Sequence, residues 1–102
     1  MTKDEVLQLI YERLGDGIYI LIALKEGPLL KEQLWHNVNQ LYKEKVKTDK
    51  DLIPSRYTLD IYTARLDAVG LVNIKEMGRG RLYSLSPFYQ ELASYIARQK
   101  NK

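Results

Sequence analysis

Residues 66–85, LDAVGLVNIKEMGRGRLYSL, constrain the fold more than any other part of the chain. Apolar residues recur at helical spacing up to Gly70, and glycine is typical of the position just past the end of a helix. Two runs of strand-forming residues follow. The Gly78-Arg79-Gly80 segment between them suits a hairpin tip, since both glycines can take positive φ without strain. The sequence therefore predicts a helix, a glycine stop and a β-hairpin that carries arginine at its tip.

Upstream of this segment, the hydrophobic pattern predicts two further helices. Thr2 followed by Glu5 is a capping box, and the apolar stripe behind it extends to Leu14. The glycines of segment 15–17 interrupt that stripe with a break or a bend. Segment 18–25 is almost wholly apolar, which predicts a central buried helix.

The middle of the chain adds a third and a fourth helix. The third helix is predicted over 31–45, and one of its faces belongs to the core because apolar residues recur there at spacings of four and three: Leu30, Leu34, Val38, Leu41 and Tyr42. Segment 46–54 is a polar connector. Ser55 is a suitable N-cap for a fourth helix over 56–69. A short strand near 28–30 can join the hairpin as a third strand.

The composition is typical of one soluble domain. A chain of 102 residues buries a modest core, and no apolar run approaches the roughly 18–20 residues that cross a bilayer. No signal peptide opens the chain, so we expect a cytoplasmic protein without a membrane partner. The absence of cysteine excludes disulfides and thiolate metal sites. The net charge of +3 permits a polyanionic partner without requiring one. We expect a source in an archaeon, its virus or a bacterium, and the lysine- and tyrosine-rich composition without cysteine suggests a thermophilic one.

The helix followed by a basic hairpin resembles the recognition helix and wing of winged helix-turn-helix proteins. Segment 20–29, ILIALKEGPL, is similar to the opening of PadR regulators, and the Gly70-Leu71-Val72 step is shared with MarR-like proteins. Leu30-Lys31 stands where PadR proteins carry Gly-Tyr, so the resemblance is to the superfamily. It implies an α+β, mostly α fold in one domain over 1–102. A winged-helix core spans 18–85, with a helical extension over 3–17 and a C-terminal helix over 86–102.

The resemblance further implies a sequence-specific, dimeric transcriptional regulator, a repressor, whose partner is double-stranded DNA. Helix 55–69 would then lie in the major groove, and the wing over 75–81 would lie on the backbone or in the minor groove. At about 100° per residue, the helix turns its inner face to the core. That inner face consists of Leu59, Tyr62, Thr63, Leu66 and Val69. The candidate DNA-binding residues are Ser55, Arg56, Tyr57, Thr58, Asp60, Ile61, Ala64, Arg65, Lys75, Arg79 and Arg81.

Each candidate has a chemistry that suits DNA. The Asp60 carboxylate can accept a hydrogen bond from a cytosine amino group, and Ile61 and Ala64 can contact a thymine methyl group. Arg56 and Arg65 can reach phosphate or guanine. Each of these residues also fits the surface of an ordinary packed helix, and a solvated hairpin tip is the alternative for the wing arginines.

Helices at both ends of the chain carry apolar stripes that must be covered. Ser86 and Pro87 are a suitable N-cap and first residue for the last helix. The stripes either fold onto the same domain or, as we expect, build a homodimer interface. The predicted interface residues are Val6, Ile10, Leu14, Phe88, Leu92, Tyr95 and Ile96.

The sequence contains little that could support an enzymatic reaction. His36 is the single histidine, so a metal cluster or a catalytic triad has no second histidine to draw on. No phosphate-binding glycine loop precedes a helix. We therefore predict a non-enzyme with no metal and no cofactor. A winged-helix module for protein–protein interaction is the main alternative, and an RNA-binding module is a weaker one.

Overall fold

The computed structural model describes residues 1–100 of the chain. Asn101 and Lys102, which the sequence placed in the C-terminal helix, lie outside the described residues. The predicted class, α+β and mostly α with an added helix at each end, is confirmed. None of the helices in the described range combines the length and apolar character needed to span a bilayer. The elements are α1 (Lys3–Arg13), a 3-10 turn (Gly15–Gly17), α2 (Ile18–Ala23), β1 (Leu29–Leu30), α3 (Lys31–Val46), α4 (Arg56–Ala68), β2 (Val72–Met77), β3 (Gly80–Leu85) and α5 (Pro87–Lys100).

The first helix begins at the predicted capping box. Thr2 Oγ1 accepts a hydrogen bond from the Glu5 amide, and the Glu5 carboxylate accepts one from the Thr2 amide, both at 3.2 Å. Segment Gly15–Gly17 ends the helical run with a 3-10 turn, in which Gly15 has a φ of 52°. Because the chain changes direction there, the apolar α2 enters the core and buries Ile20.

The three strands form one antiparallel sheet in the order β1-β3-β2. Leu29 of β1 lies opposite Tyr83 of β3, so the short strand predicted near 28–30 is confirmed. Ile74 of β2 faces Tyr83 from the other side. Tyr83 is fully buried at the centre of this sheet, which fastens the hairpin to the helical core.

A two-residue turn joins β2 to β3, since Met77 and Gly80 are the last opposed pair before it. Gly78 has a φ of 61°, and among the described residues neither Arg79 nor Gly80 has a positive φ. Positive φ at the first turn residue alone is the pattern of a type II′ turn. The expectation that both glycines use their conformational freedom is therefore correct for Gly78 and wrong for Gly80, which begins β3 as an ordinary strand residue.

Side chains of α3 hold the connector to α4. The Asn39 side-chain oxygen accepts a hydrogen bond from the Ile53 amide at 2.9 Å, and the Asn39 side-chain nitrogen donates one to the Ile53 carbonyl at 3.0 Å. Trp35 Nε1 donates to the same carbonyl at 2.7 Å. Ile53 is fully buried, so the predicted polar connector contributes a residue to the core. This anchor directs the chain into α4.

The last helix is fixed both to the segment between α4 and β2 and to α1. The Ser86 amide donates to the Leu71 carbonyl at 2.9 Å, and the Ser86 hydroxyl donates to the Gly70 carbonyl. Further along α5, the Tyr95 hydroxyl donates to the side chain of Gln8 on α1. The two terminal helices therefore pack on each other within one chain.

Candidate nucleic-acid interface

The start of α4 is capped by the residue that the sequence predicted. Ser55 Oγ accepts a hydrogen bond from the Thr58 amide at 3.2 Å, and the hydroxyl oxygens of the two residues lie 3.1 Å apart. Both hydroxyls therefore have a structural partner inside the chain. The amides of the first turn form the positive end of the helix dipole, where a phosphate group is favoured.

Helix α4 divides into a buried face and an outward face. Leu59, Thr63 and Leu66 are buried, and the Thr63 hydroxyl is satisfied by the Leu59 carbonyl at 3.0 Å. Tyr57 on the other side is 75% exposed. The outward face consists of Tyr57, Ile61, Ala64 and Ala68. Apart from half-buried Ile61, these residues are exposed, so this face is open to a partner.

Asp60 connects α4 to two other elements. Its Oδ1 atom lies 2.8 Å from Lys31 Nζ at the start of α3 and 3.9 Å from Arg81 Nη1 on β3. The carboxylate is thus already occupied by two cations of the same chain. This arrangement differs from the expected role of Asp60 as an acceptor for a cytosine amino group, because Oδ1, the oxygen that both cations approach, is buried.

The wing, which is the β2–β3 hairpin, lies on the Asp60 side of α4. Arg81 spans the space between them and also lies 3.3 Å from the Glu76 carboxylate, its cross-strand neighbour. The pKa of the Arg81 guanidinium is raised. The first cause is its polar contact with the Tyr83 hydroxyl, whose geometry falls short of a hydrogen bond, and the next is the charge of Glu76. Arg81 is therefore held in place as a cation between the wing and α4.

Arg56 at the start of α4 is also held by neighbours. Its Nε atom donates to the Glu32 carboxylate at 2.8 Å, and its guanidinium lies 5.5 Å from the centroid of the Trp35 ring. Because both partners lie on α3, these contacts join the N-terminal ends of the two helices. Arg56 is still largely exposed and keeps a surface for phosphate.

The wing carries two cations that have no acidic partner among the described residues. Arg79 and Lys75 are exposed, and neither makes an ion pair within residues 1–100. The type II′ turn places Arg79 at the apex of the hairpin. Among the predicted wing residues, these two are available to an anionic partner, whereas Arg81 is engaged inside the chain.

Arg65 lies on the flank of α4 that faces α1, across the helix from the wing. It lines a groove of about 290 Å³ between the two helices, which we call the α1–α4 groove. Val69 lines the same groove and is 46% exposed. The assignment of Val69 to the core is therefore wrong, because the groove between α1 and α4 leaves this side chain open to solvent. The groove is lined by Leu9, Ile10, Arg13, Leu14, Gly17, Tyr62, Arg65, Leu66 and Val69.

The residues predicted for a dimer interface fall into four places. Leu92 and Tyr95 are buried inside the chain, so they offer no side-chain surface to a second copy. Ile10 and Leu14 line the α1–α4 groove, and Val6 on the same helix is exposed. Phe88 is half-buried beside Gly70, where a Cβ atom added to that glycine would lie 3.8 Å from the ring. Ile96 lines a separate groove between α2 and α5.

Several residues that organise this interface were not predicted. Lys31, Glu32 and Trp35 come from the first turns of α3 and hold Asp60 and Arg56 from a distance in sequence. No local pattern marks such pairs. The pairing of Glu76 with Arg81 follows from the sequence, because a two-residue turn at Gly78 and Arg79 places the two residues opposite each other.

Comparison with known proteins identifies a relative. No family model matches the chain. The DNA-binding protein TubR of Bacillus cereus is 37% identical over 109 aligned positions, which span 100% of this chain and 92% of that protein.

Two solved structures share the fold. HlyU from Vibrio cholerae superposes with a TM-score of 0.60 at 20% identity, over 98% of this chain and 96% of that one. The type III plasmid segregation protein TubR superposes with a TM-score of 0.56 at 17% identity, over 96% and 87%. At such identity the similarity establishes the winged-helix fold alone. Membership among PadR or MarR-like regulators stays a prediction.

Proposed function

The chain belongs to the family of the DNA-binding protein TubR, and from this membership we propose that it binds double-stranded DNA in a sequence-specific manner. The observation that carries the proposal is the wing beside the outward face of α4, with Arg81 and Asp60 3.9 Å apart across the gap. Two elements joined in this way approach a single duplex together.

On this proposal, the outward face of α4 enters the major groove, whose width admits an α-helix. Tyr57 projects from the first turn of the helix and contacts base edges or the adjacent sugar-phosphate. Ile61 and Ala64 provide apolar contacts for thymine methyl groups. Arg56, oriented by Glu32 and Trp35, lies beside the phosphates that flank the helix N-terminus.

The wing supplies the contacts that depend on charge. Arg79 and Lys75 lie along the phosphate backbone or in the adjacent minor groove, where the potential of the duplex attracts cations. Arg81 and Asp60 act as positioning residues: they fix the wing at a set distance from α4 and do not read bases. Sequence recognition therefore depends mainly on Tyr57 and its neighbours on the outward face.

We place the contact of a homodimer on the α1–α4 groove. Val69 exposes a large apolar side chain there. Arg13 and Arg65 line the groove without an ion pair in the described part of the chain, and the exposed carboxylates of Glu12 and Asp16 lie nearby in sequence. A two-fold axis brings the arginines of each copy to the carboxylates of the other. Two helices and two wings then bind one site, so that affinity depends steeply on salt.

The biological role follows from the family. We infer that the chain is a DNA-binding protein of plasmid segregation, as the TubR protein of solved structure is described. Repression of transcription, the role expected from the sequence, is the second candidate, because a dimer bound at an operator excludes other proteins. In either role the protein acts in the cytoplasm by binding alone, without a cofactor or a catalytic step.

In-vitro selection of duplexes, followed by mobility shifts over a range of salt, tests the proposal. We expect one enriched motif with two half-sites. Arg79→Ala should weaken binding to all duplexes and lower the slope of log affinity against log salt by about 1. Tyr57→Ala should relax sequence preference. Arg98→Ala removes the same charge from α5, where Arg98 pairs with Asp4, and should leave the slope unchanged.

Each alternative to DNA binding predicts a different result. Absence of binding at low salt would remove the DNA-binding proposal. Intact capture of a protein partner without DNA affinity would favour the interaction module, and preference for RNA over duplex DNA in competition would favour the RNA-binding alternative. Plasmid retention in cells that lack the protein, compared with a promoter reporter, separates the two DNA-binding roles.

A further inference from the structure

A second groove lies between α2 and α5, separate from α4 and the wing. Its volume is about 260 Å³, and its floor is formed by apolar side chains of both helices. Tyr89 lies on the inner side of the groove, where it is buried and where burial raises the pKa of its phenol. We call this feature the α2–α5 groove.

Small residues on α5 keep the groove open. Ala93 and Ala97 are one helical turn apart and both line it, opposite Ile18 and Ile22 of α2. A larger side chain at either alanine would fill the space. The groove therefore exists because α5 places its smallest apolar residues where α2 leaves a gap.

The charges around the α2–α5 groove have one sign. Lys25, just after α2, and Lys100, at the end of α5, both line it. Neither lysine makes an ion pair within residues 1–100, and none of the described residues that line the groove is acidic. An apolar floor with unpaired ammonium groups at its border complements a molecule that is apolar along its length and anionic at an end.

We propose that the α2–α5 groove binds a small apolar carboxylate, with its hydrocarbon chain against Ala93 and Ala97 and its carboxylate at Lys25 or Lys100. The volume sets the class of ligand. A groove of about 260 Å³ is at the lower end of small-molecule sites. A peptide helix about 10–12 Å in diameter does not fit within it.

Titration of the full chain with sodium decanoate below its micelle concentration, followed by calorimetry and amide chemical shifts, tests this proposal. Saturable binding with shift changes confined to α2 and α5 is the expected result. 1-Decanol should bind roughly tenfold more weakly, because it lacks the charge that the lysines recognise. Lys25→Met or Lys100→Met should produce a similar loss for decanoate.

Filling the groove provides the decisive variant. Ala97→Leu should weaken decanoate binding at least tenfold, whereas Ser94→Leu, at an exposed position of α5 that does not line the groove, should leave it unchanged. Both variants keep good helix formers on a surface position, and thermal unfolding verifies that each is folded. The variants leave α4 and the wing intact, so this test is independent of DNA binding.

The proposal is overturned by any of three results. These are absence of saturable decanoate binding, equal loss in the Ala97→Leu and Ser94→Leu variants, and equal affinity for decanoate and decanol. If the first result is accompanied by a change of oligomeric state in Ala97→Leu, the groove is instead a contact between copies.

Discussion

Asn39 on α3 and Ile53 in the connector exchange two hydrogen bonds, at 2.9 Å and 3.0 Å, through one carboxamide and one peptide unit. Ile53 is two residues before the N-cap of α4. The pair therefore fixes where α4 begins relative to α3. A connector longer than that of a minimal helix-turn-helix thus still presents α4 in a defined orientation.

Asn39→Ala should lower the free energy of unfolding by roughly 1–3 kcal/mol. The Ile53 carbonyl keeps its bond from Trp35 Nε1, but the buried Ile53 amide loses its acceptor, and an unpaired buried donor carries that cost. Chemical denaturation measures the change. Asn37→Ala, at an exposed position of the same helix, is the control and should change stability by less than about 0.5 kcal/mol. Equal effects of the two substitutions would contradict the assigned role of Asn39.

Elements controlled by neighbouring residues were predictable from the sequence. The capping box of Thr2, the Ser55 cap, the hairpin and the short β1 strand depend on residues that are close along the chain or on alternation within a strand. The pairs Arg56–Glu32 and Asp60–Lys31 join residues of α4 and α3 that are distant in sequence, and no periodicity encodes such pairs.

The exposed position of Val69 shows a second limit of prediction from the sequence. Periodicity identifies the apolar side of a helix, but it does not show whether another element covers that side along its whole length. Similarly, the single apolar stripe expected on α5 points in several directions: Leu92 into the core, Phe88 towards the end of α4, and Ile96 into the α2–α5 groove. Only the placement of neighbouring helices separates these roles.

The wing turn gives a matched pair of glycine substitutions. Gly78→Ala should destabilise the protein by about 1 kcal/mol, because the new side chain must adopt a φ of 61°. Gly80→Ala should be nearly neutral, since its φ is ordinary and an added Cβ atom would lie 3.7 Å from the Met77 carbonyl. Thermal unfolding of both variants measures the difference, and equal losses would exclude the type II′ assignment.

Removal of the Asp60 carboxylate should reduce specificity more than stability. Asp60→Ala loses a partly buried ion pair with Lys31, so we expect a stability loss of about 1 kcal/mol. Non-specific DNA binding should rise because one negative charge is gone, while binding to the selected site should fall because Arg81 no longer ties the wing to α4. Competition between specific and random duplexes measures this ratio.

Asp67→Ala is the control for the change in net charge that Asp60→Ala causes. It removes an exposed carboxylate from the same helix, so it should raise binding to both duplexes and preserve their ratio. A ratio that changes equally in both variants would refute the positioning role of Asp60.

Alkaline pH should destabilise the protein in part through Tyr89. Burial raises the pKa of this phenol above its ordinary value of 10.0. Above pH 10 the unfolded chain therefore binds fewer protons than the folded one. The contribution of Tyr89 to stability is fully present below pH 10 and is lost as pH rises from there through the higher pKa of the folded state.

Tyr89→Phe should lose less stability between pH 9 and pH 11 than the parent, as measured by urea unfolding. Tyr57→Phe, which removes an exposed hydroxyl, is the control; identical slopes in parent and Tyr89→Phe would exclude this contribution.

Two equally exposed valines distinguish a dimer contact from ordinary surface. Val69 in the α1–α4 groove is 46% exposed and Val46 at the end of α3 is 47% exposed. A glutamate at either position remains solvated, so both variants should fold. Val69→Glu should convert the dimer to monomer, because it replaces an apolar contact with a carboxylate that competes for the arginines of the groove, whereas Val46→Glu should not. Sedimentation velocity over a range of concentrations measures the oligomeric state. A parent chain that is monomeric throughout, or a Val69→Glu variant that still dimerises, would contradict the assigned surface.

Since a monomer presents only one helix and one wing, Val69→Glu should also halve the salt slope of DNA binding, which links the groove to the proposed mode of recognition.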